Sequence, residues 1–303
     1  MVRSEKTADT LPIARRKRFE RSDPEHPLTP VKLALLRHLA ECSFLTAPQL
    51  AGLAGSTPKA LRGHMRHLFD MGLVERVGVP RVALEDSDVH SRHTLLFGSA
   101  PMIYHLSKAG ARTLVAAGMA DPEEVKDLPA YGPHNSLFLA HETQVRDVRV
   151  WLEVAARAQG LAGIQSWVDG ARTTIGRVQP DAWFTFPLKG ATLMGLLEID
   201  RGTERRPATW IEKFAQYREV LHTDTLYAAT GHRTGRVLVI VPSMARRETL
   251  AQLLADCLSG TEVTPERFML AQRADLQQAD LRSPIWQLPG VSERVPLVPE
   301  KYL

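Results

Sequence analysis

Asp181, Glu198, Asp200 and Lys213 are the residues with which this sequence can do chemistry. They lie within RVQPDAWFTFPLKGATLMGLLEIDRGTERRPATWIEKFAQYREVL, residues 177–221. An acid follows Pro180, a Glu-x-Asp pair closes an apolar run, and a helical pattern then carries Lys213. Carboxylates brought together repel, so either some of them take up protons or a cation neutralises them. Oxygen-only ligands suit a hard ion, Mg²⁺ or Mn²⁺, and Asp181, Glu198 and Asp200 form the expected ligand set. Such an ion would polarise a phosphodiester and lower the pKa of a bound water. Lys213 would then stabilise the charge that builds up on the phosphate, with Gln216 one turn further along the same helix edge and Tyr217 beside it. The competing reading is structural. Acids at strand ends before an amphipathic helix are common, and a lysine there often just carries its ammonium out to water.

These residues need a hairpin to bring them together. Val168–Ile175 and Arg177–Phe186 read as strands, a turn falls at Pro187–Gly190, and Met194–Asp200 returns. Pairing Leu188 with Ala191 puts Asp181 level with Glu198. Period-two alternation puts Glu198 and Asp200 on one face and leaves Leu197 and Ile199 for the core. The following helix opens near Pro207 and buries Trp210, Phe214, Tyr217 and Leu221, so Lys213 sits on the border of the buried stripe. Upstream, a long helix from about Asn135 to Ala158 buries Leu137, Ala140, Val145, Val148, Trp151, Leu152 and Ala155. His141, on or beside that stripe, is a further accessory candidate. Downstream, Gly235–Ser243 reads as a buried strand, Ala245–Ser259 as an amphipathic helix and Phe268–Ala271 as a last strand. Residues 273–303 are expected to wrap the surface.

The first part of the chain has a different character. Residues 1–120 carry 17 Lys and Arg against 11 Asp and Glu, and seven of the 11 histidines, whereas the rest is slightly acidic. That asymmetry favours a polyanionic partner for the first part. Residues 1–28, with the run Arg15, Arg16, Lys17, Arg18, read as a flexible basic arm. Three short helices follow, from Thr29, at Ala47–Leu53, and from Ser56 or Thr57 to about Met71. On the third, Leu61, Met65, Leu68 and Phe69 form the buried stripe. Lys59, Arg62 and Arg66 share another face and His67 lies nearby, a set that could enter a major groove. A strand, a polar loop, a second strand and a helix near Ser107 complete a winged helix, and LxxxGLVER followed by YHLSKAGARTL resembles many bacterial winged-helix domains. His64/His67 and His90/His93 lack thiols or a third ligand, so zinc is not expected. The expected division is therefore an arm at 1–28, a winged helix-turn-helix at 29–118, a linker at 119–133, a catalytic-type domain at 134–290 and a tail at 291–303.

Two resemblances sharpen this. The order of Pro180-Asp181, hairpin, Glu198 resembles the PD-(D/E)xK nuclease superfamily, which implies an α/β (α+β overall) domain with a mixed sheet flanked by helices. Asp200 occupies that pattern's lysine position, and Lys213 would be the migrated replacement. More broadly, LAHETQVRDVRVWLE, QPDAWF, LLEIDRGTE and WIEKFAQYREVL resemble the replication-relaxation family of plasmid and mobile-element proteins. That family includes relaxases of the MobC type and replication initiators. The resemblance implies binding to double-stranded DNA at an origin or transfer site, alongside mobilisation or replication proteins, and nicking of one strand with a divalent metal. The other functional class is a noncatalytic origin-binding initiator or regulator with a degenerate nuclease fold. No His-hydrophobic-His cluster accompanies the tyrosines, which favours a metal-activated water over a tyrosyl–DNA intermediate. No apolar run approaches the roughly 20 residues of a membrane span. The opening lacks an apolar signal core, and Cys42 and Cys257 are isolated, so a cytoplasmic protein with free thiols is expected.

Overall fold

The computed structural model describes residues 14–15, 28–78, 102–126, 136–203, 206–277 and 279–303. Arg16–Arg18, the loop expected between the two wing strands with His90 and His93, and residues 127–133 lie outside them. The chain forms two compact units, one of residues 1–85 and 93–146, the other of 86–92 and 147–303.

In the first unit β1 (Ala14–Arg15) precedes α1 (Pro30–Cys42), β2 (Phe44–Thr46), α2 (Ala47–Leu53) and α3 (Pro58–Asp70). Then follow β3 (Val74–Gly78), β4 (Ile103–Leu106), α4 (Lys108–Ala116) and α5 (Pro122–Lys126). Proline at the first turn and a hydroxyl cap start all three leading helices: Thr29, Thr46 and Thr57 accept from the backbone three residues on. Thr46 and Gln49 form a reciprocal capping box. The core side of α1 is Leu35, Leu36, Leu39 and Cys42, with Leu33 only half-buried. All four strands pair antiparallel in the order β1-β3-β4-β2. Two expectations are corrected here. Part of the basic arm is an edge strand on β3, and the expected linker contains helix α5.

Helix α4 lies so close to the start of β3 that Gly110 has no room for a side chain. A Cβ there would sit 2.1 Å from the backbone oxygen of Leu73, a neighbour that cannot swing aside. Gly110→Ala should therefore destabilise the first unit by about 2 kcal/mol or more, as overpacking does, read as a lower urea midpoint by far-ultraviolet circular dichroism. An unchanged midpoint would show that α4 shifts freely.

Helix α6 (Ser136–Ala158) carries the division between the units, which therefore falls at Arg146/Asp147 and not in the stretch 119–133. The physical reason is side-chain hydrogen bonding to the first unit. Arg146 Nε donates to the Cys42 carbonyl at 2.9 Å, and Gln49 Nε2 donates to the Thr143 carbonyl at 2.9 Å.

The second unit continues with β5 (Ser166–Asp169), β6 (Ala182–Leu188), β7 (Ala191–Ile199), α7 (Pro207–His222) and α8 (Thr225–Thr230). It ends with β8 (Arg236–Val241), α9 (Met244–Leu258), β9 (Phe268–Gln272), α10 (Arg273–Leu276), β10 (Trp286–Gln287) and β11 (Arg294–Val295). The seven strands run in the order β11-β10-β9-β8-β7-β6-β5. β5, β6 and β7 are antiparallel, β7, β8 and β9 parallel, and β10 and β11 antiparallel additions. The expected hairpin register holds, with Leu188 opposite Ala191 and Ala182 opposite Leu197. β6 begins later than expected, because Pro180 has no N–H to give a ladder and Gly170 and Gly176 turn the preceding chain at positive φ.

Residues 193–199 of β7 are all buried. The expectation that only Leu197 and Ile199 would face a core is thus too narrow. The parallel crossover from β7 through α7 to β8 covers the Glu198 face, where Met194, Leu196, Val237, Val239 and Leu270 join Trp210, Phe214 and Tyr217 of α7. The tail is also more than a wrapping. It contributes β10 and β11, its Trp286 packs at 6.1 Å from Trp151, and Lys189 N donates to the Tyr302 carbonyl. Among the described residues no helix is long and apolar enough to cross a membrane.

Candidate functional site

The carboxylates gather where β6 begins and β7 ends. Asp181 stands one residue before β6, and its backbone N–H bonds the carbonyl of Leu197, the residue opposite Ala182, at 2.9 Å, so the paired register ends one step short of the expected Asp181–Glu198 level. Asp181 Oδ2 also accepts from Ile199 N at 2.7 Å, so the acid is tied to the strand that carries Glu198. Glu198 is 2% exposed. Its two oxygens meet two groups of α7: Lys213 Nζ donates to Oε2 at 2.7 Å and the Tyr217 hydroxyl to Oε1 at 2.5 Å. Lys213 and Tyr217 are four residues apart and so lie on the same helix edge. Trp210, one turn earlier, puts its ring 5.2 Å from the Lys213 ammonium.

Charge is unevenly shared. Burial, aided by the neighbouring Asp181, lifts the Glu198 pKa to about 7 against the pull of Lys213 and Tyr217. Burial works to lower the Lys213 pKa, but Glu198, Asp181 and Asp200 together hold it above its usual value. Tyr217, buried against a carboxylate, is raised well above the ordinary phenol value and keeps its proton.

Asp200 shares this end of the sheet but spends its charge elsewhere. Its backbone N–H bonds the Ile240 carbonyl on β8, its Oδ1 accepts from Gly202 N at 2.9 Å, and its Oδ2 accepts from Arg246 Nε at 2.5 Å. Arg246 is the residue that sequence reasoning missed. It comes from the first turn of α9, which Ser243 caps. Because β8 runs parallel to β7, its end and the start of α9 return to the end of β7. The readable signal was a buried strand followed by a capped helix with arginine in its first turn. Among the described residues, no group of three or more His, Cys, Asp and Glu side chains is arranged to hold a metal ion.

Other candidates are placed differently. Gln216 Nε2 donates to Glu212, and Gln216 lines a solvent-side hollow with Arg177, Glu219 and His222. It therefore does not join the carboxylates as expected, because helix phase turns it away from Lys213 and Tyr217. His141 lies on the part of α6 that belongs to the first unit, while the carboxylates belong to the second. On α3, Lys59, Arg62 and Arg66 are exposed and His67 is half-buried. Arg66 Nε bonds both Asp70 oxygens, at 3.1 and 2.9 Å, so one of the three cations on this face has an internal counter-charge.

A family described as replication-relaxation matches residues 36–235, a stretch that holds α2, α3, Asp181, Glu198, Asp200, Lys213 and Tyr217 but not Arg246. Searches of curated proteins and of solved structures give no match. The matched stretch covers well over half of the chain, so the protein belongs to the replication-relaxation family, which points to a role in plasmid or mobile-element replication or relaxation.

Proposed function

We propose that the protein binds origin or transfer-site DNA through its first unit and nicks one strand hydrolytically at Asp181, Glu198 and Lys213. The observation that carries this reading is Lys213 Nζ lying 2.7 Å from Glu198 Oε2. A lysine supplied by α7 thus meets the strand acid where the PD-(D/E)xK pattern has one on the strand itself. The mixed sheet packed against α7 and α9 supports the same assignment. So does the order α1, β2, α2, α3, β3, β4 for a winged helix-turn-helix in the first unit.

Asp181 and Glu198 offer the oxygen donors that suit Mg²⁺ or Mn²⁺, and they would hold it. Asp200, paired with Arg246, drops out of the expected ligand set. When bound, such an ion polarises the phosphodiester and supplies hydroxide at neutral pH. This chain's part is to present the phosphate to the Lys213 ammonium, to keep Glu198 in place through Tyr217, and to shield the site from bulk water under α7. Supercoiled origin-bearing plasmid incubated with the protein and Mn²⁺ is expected to relax, and Asp181→Ala to leave it supercoiled. Equal relaxation by the variant would remove the hydrolytic assignment.

A second reading has its own support. Both Glu198 oxygens are already engaged by Lys213 and Tyr217, as befits a degenerate site locked by its own donors. In that case the wild type binds origin DNA without relaxing it, as a noncatalytic initiator or regulator would. Under either reading the α3 cations contact phosphate. Arg62→Ala combined with Arg66→Ala should weaken DNA binding about tenfold or more at moderate salt and flatten the slope of log affinity against log salt by about two. Anisotropy titrations with labelled duplex at several salt concentrations measure both. An unchanged slope would move the DNA face elsewhere.

A further inference from the structure

The end of the seven-stranded sheet away from the carboxylates carries a cavity of 320 Å³ that is open to solvent. Its walls come from the β6–β7 turn, the starts of β8 and β9, and the last residues of the chain. Arg236 opens β8 and Arg267 immediately precedes β9. Since Val237 pairs with Phe268 in parallel register, the two arginines stand side by side at the starts of neighbouring strands.

Each guanidinium is steadied by the backbone. Arg236 Nη1 donates to the Leu297 carbonyl at 3.0 Å, and Arg267 Nη1 to the Gly235 carbonyl at 3.1 Å. A guanidinium has five N–H donors, so most of each fork is left for something else. Among the described residues neither arginine forms an ion pair, and the acid on the wall, Glu266, is exposed and bonded to Thr264. Burial and the Arg267 charge push the Arg236 pKa down, and Tyr302 and Glu266 offset them only in part. The other walls are mixed, with Thr192, Thr234 and Tyr302 lining the same space as Leu193, Met194 and Leu297.

We propose that this cavity is a binding site for a small phosphate monoester, with Arg236 and Arg267 gripping the phosphate and the apolar wall receiving the organic part. Forked Arg–phosphate pairing is strong and directional. The volume lies at the small end of ligand pockets, which begin at roughly 300 Å³. That size suits a nucleoside monophosphate. The proposal does not depend on hydrolysis at Asp181, and both arginines lie beyond the residues that match the family.

Calorimetry on the full chain with a deoxynucleoside 5′-monophosphate, inorganic phosphate and the parent nucleoside tests it. The monophosphate is expected to bind about tenfold more tightly than inorganic phosphate, more weakly as salt rises, and the nucleoside not at all. Arg267→Gln should lower the monophosphate affinity at least about tenfold. Thr192→Glu, at an exposed rim position that touches neither arginine's anchor, should abolish binding by placing a carboxylate in the cavity. Asp181→Ala should leave binding unchanged. Binding of the nucleoside as tight as the monophosphate, binding of inorganic phosphate alone, or wild-type affinity in both cavity variants would each overturn the proposal.

Discussion

Lys213→Met should reduce metal-dependent nicking of supercoiled plasmid by about 10²- to 10³-fold, the usual effect of removing one charge-stabilising donor from a reacting centre. The ammonium sits 2.7 Å from Glu198 Oε2 and also feels Asp181 and Asp200. It is thus the cation paired directly with Glu198. The same change has a second, opposite consequence. Lys213 occupies the Glu198 oxygen that a divalent cation would take, so Mn²⁺ binding by calorimetry is expected to tighten while turnover falls. A merely structural lysine would not separate the two. Its side chain is 36% exposed, so solvent screens the ion pair and the stability loss should be small, about 1 kcal/mol. Lys213→Arg keeps the charge but not the compact ammonium, and should recover part of the rate. Wild-type nicking by Lys213→Met would end the catalytic assignment, and so would a rate loss matched by global unfolding.

The site was legible in the sequence to the extent that local rules govern it. A short turn fixed the hairpin register from Leu188 and Ala191 out to Ala182 and Leu197, next to Asp181 and Glu198, and helix phase put Lys213 and Tyr217 on the edge facing the strand. Sequence could not show that the Glu198 face is itself covered. An apolar run such as Leu193–Leu197 reads alike for one buried face or two, and only the crossover to β8 decides. Arg246 was hidden for the same reason. It meets Asp200 through parallel pairing of β7 with β8, a long-range contact with no local signature. That pair gives Asp200 its own counter-charge from α9. In the first unit the capped, proline-led helices were readable because caps are local. The boundary inside α6 was not, since it depends on Arg146 and Thr143 bonding to Cys42 and Gln49 roughly a hundred residues earlier.

Glu198 also makes the second unit less stable as pH rises through the neutral range. Its folded pKa of about 7 exceeds the ordinary carboxyl value of 4.5. A raised pKa means that the folded state binds the proton more tightly than the unfolded chain does. The stabilisation is complete below about pH 4.5 and is lost as pH climbs towards and past 7. At 1.36 kcal/mol per pKa unit the full loss is about 3 kcal/mol. Lys213 and Tyr217, both raised, keep their protons throughout and contribute nothing in this window. Glu41, Glu124 and Asp280, all lowered, titrate below it. Glu198→Gln cannot titrate, so any lost hydrogen bond adds a cost that does not vary with pH. All five tryptophans, at 151, 167, 183, 210 and 286, lie in the second unit, so urea unfolding followed by their fluorescence reports that unit alone. Between pH 5 and 8 the wild type should lose about 2.5 kcal/mol relative to Glu198→Gln. A difference that stays flat across those values would mean that Glu198 is ionised throughout, held as an anion by Lys213 and Tyr217, and that burial does not govern its proton.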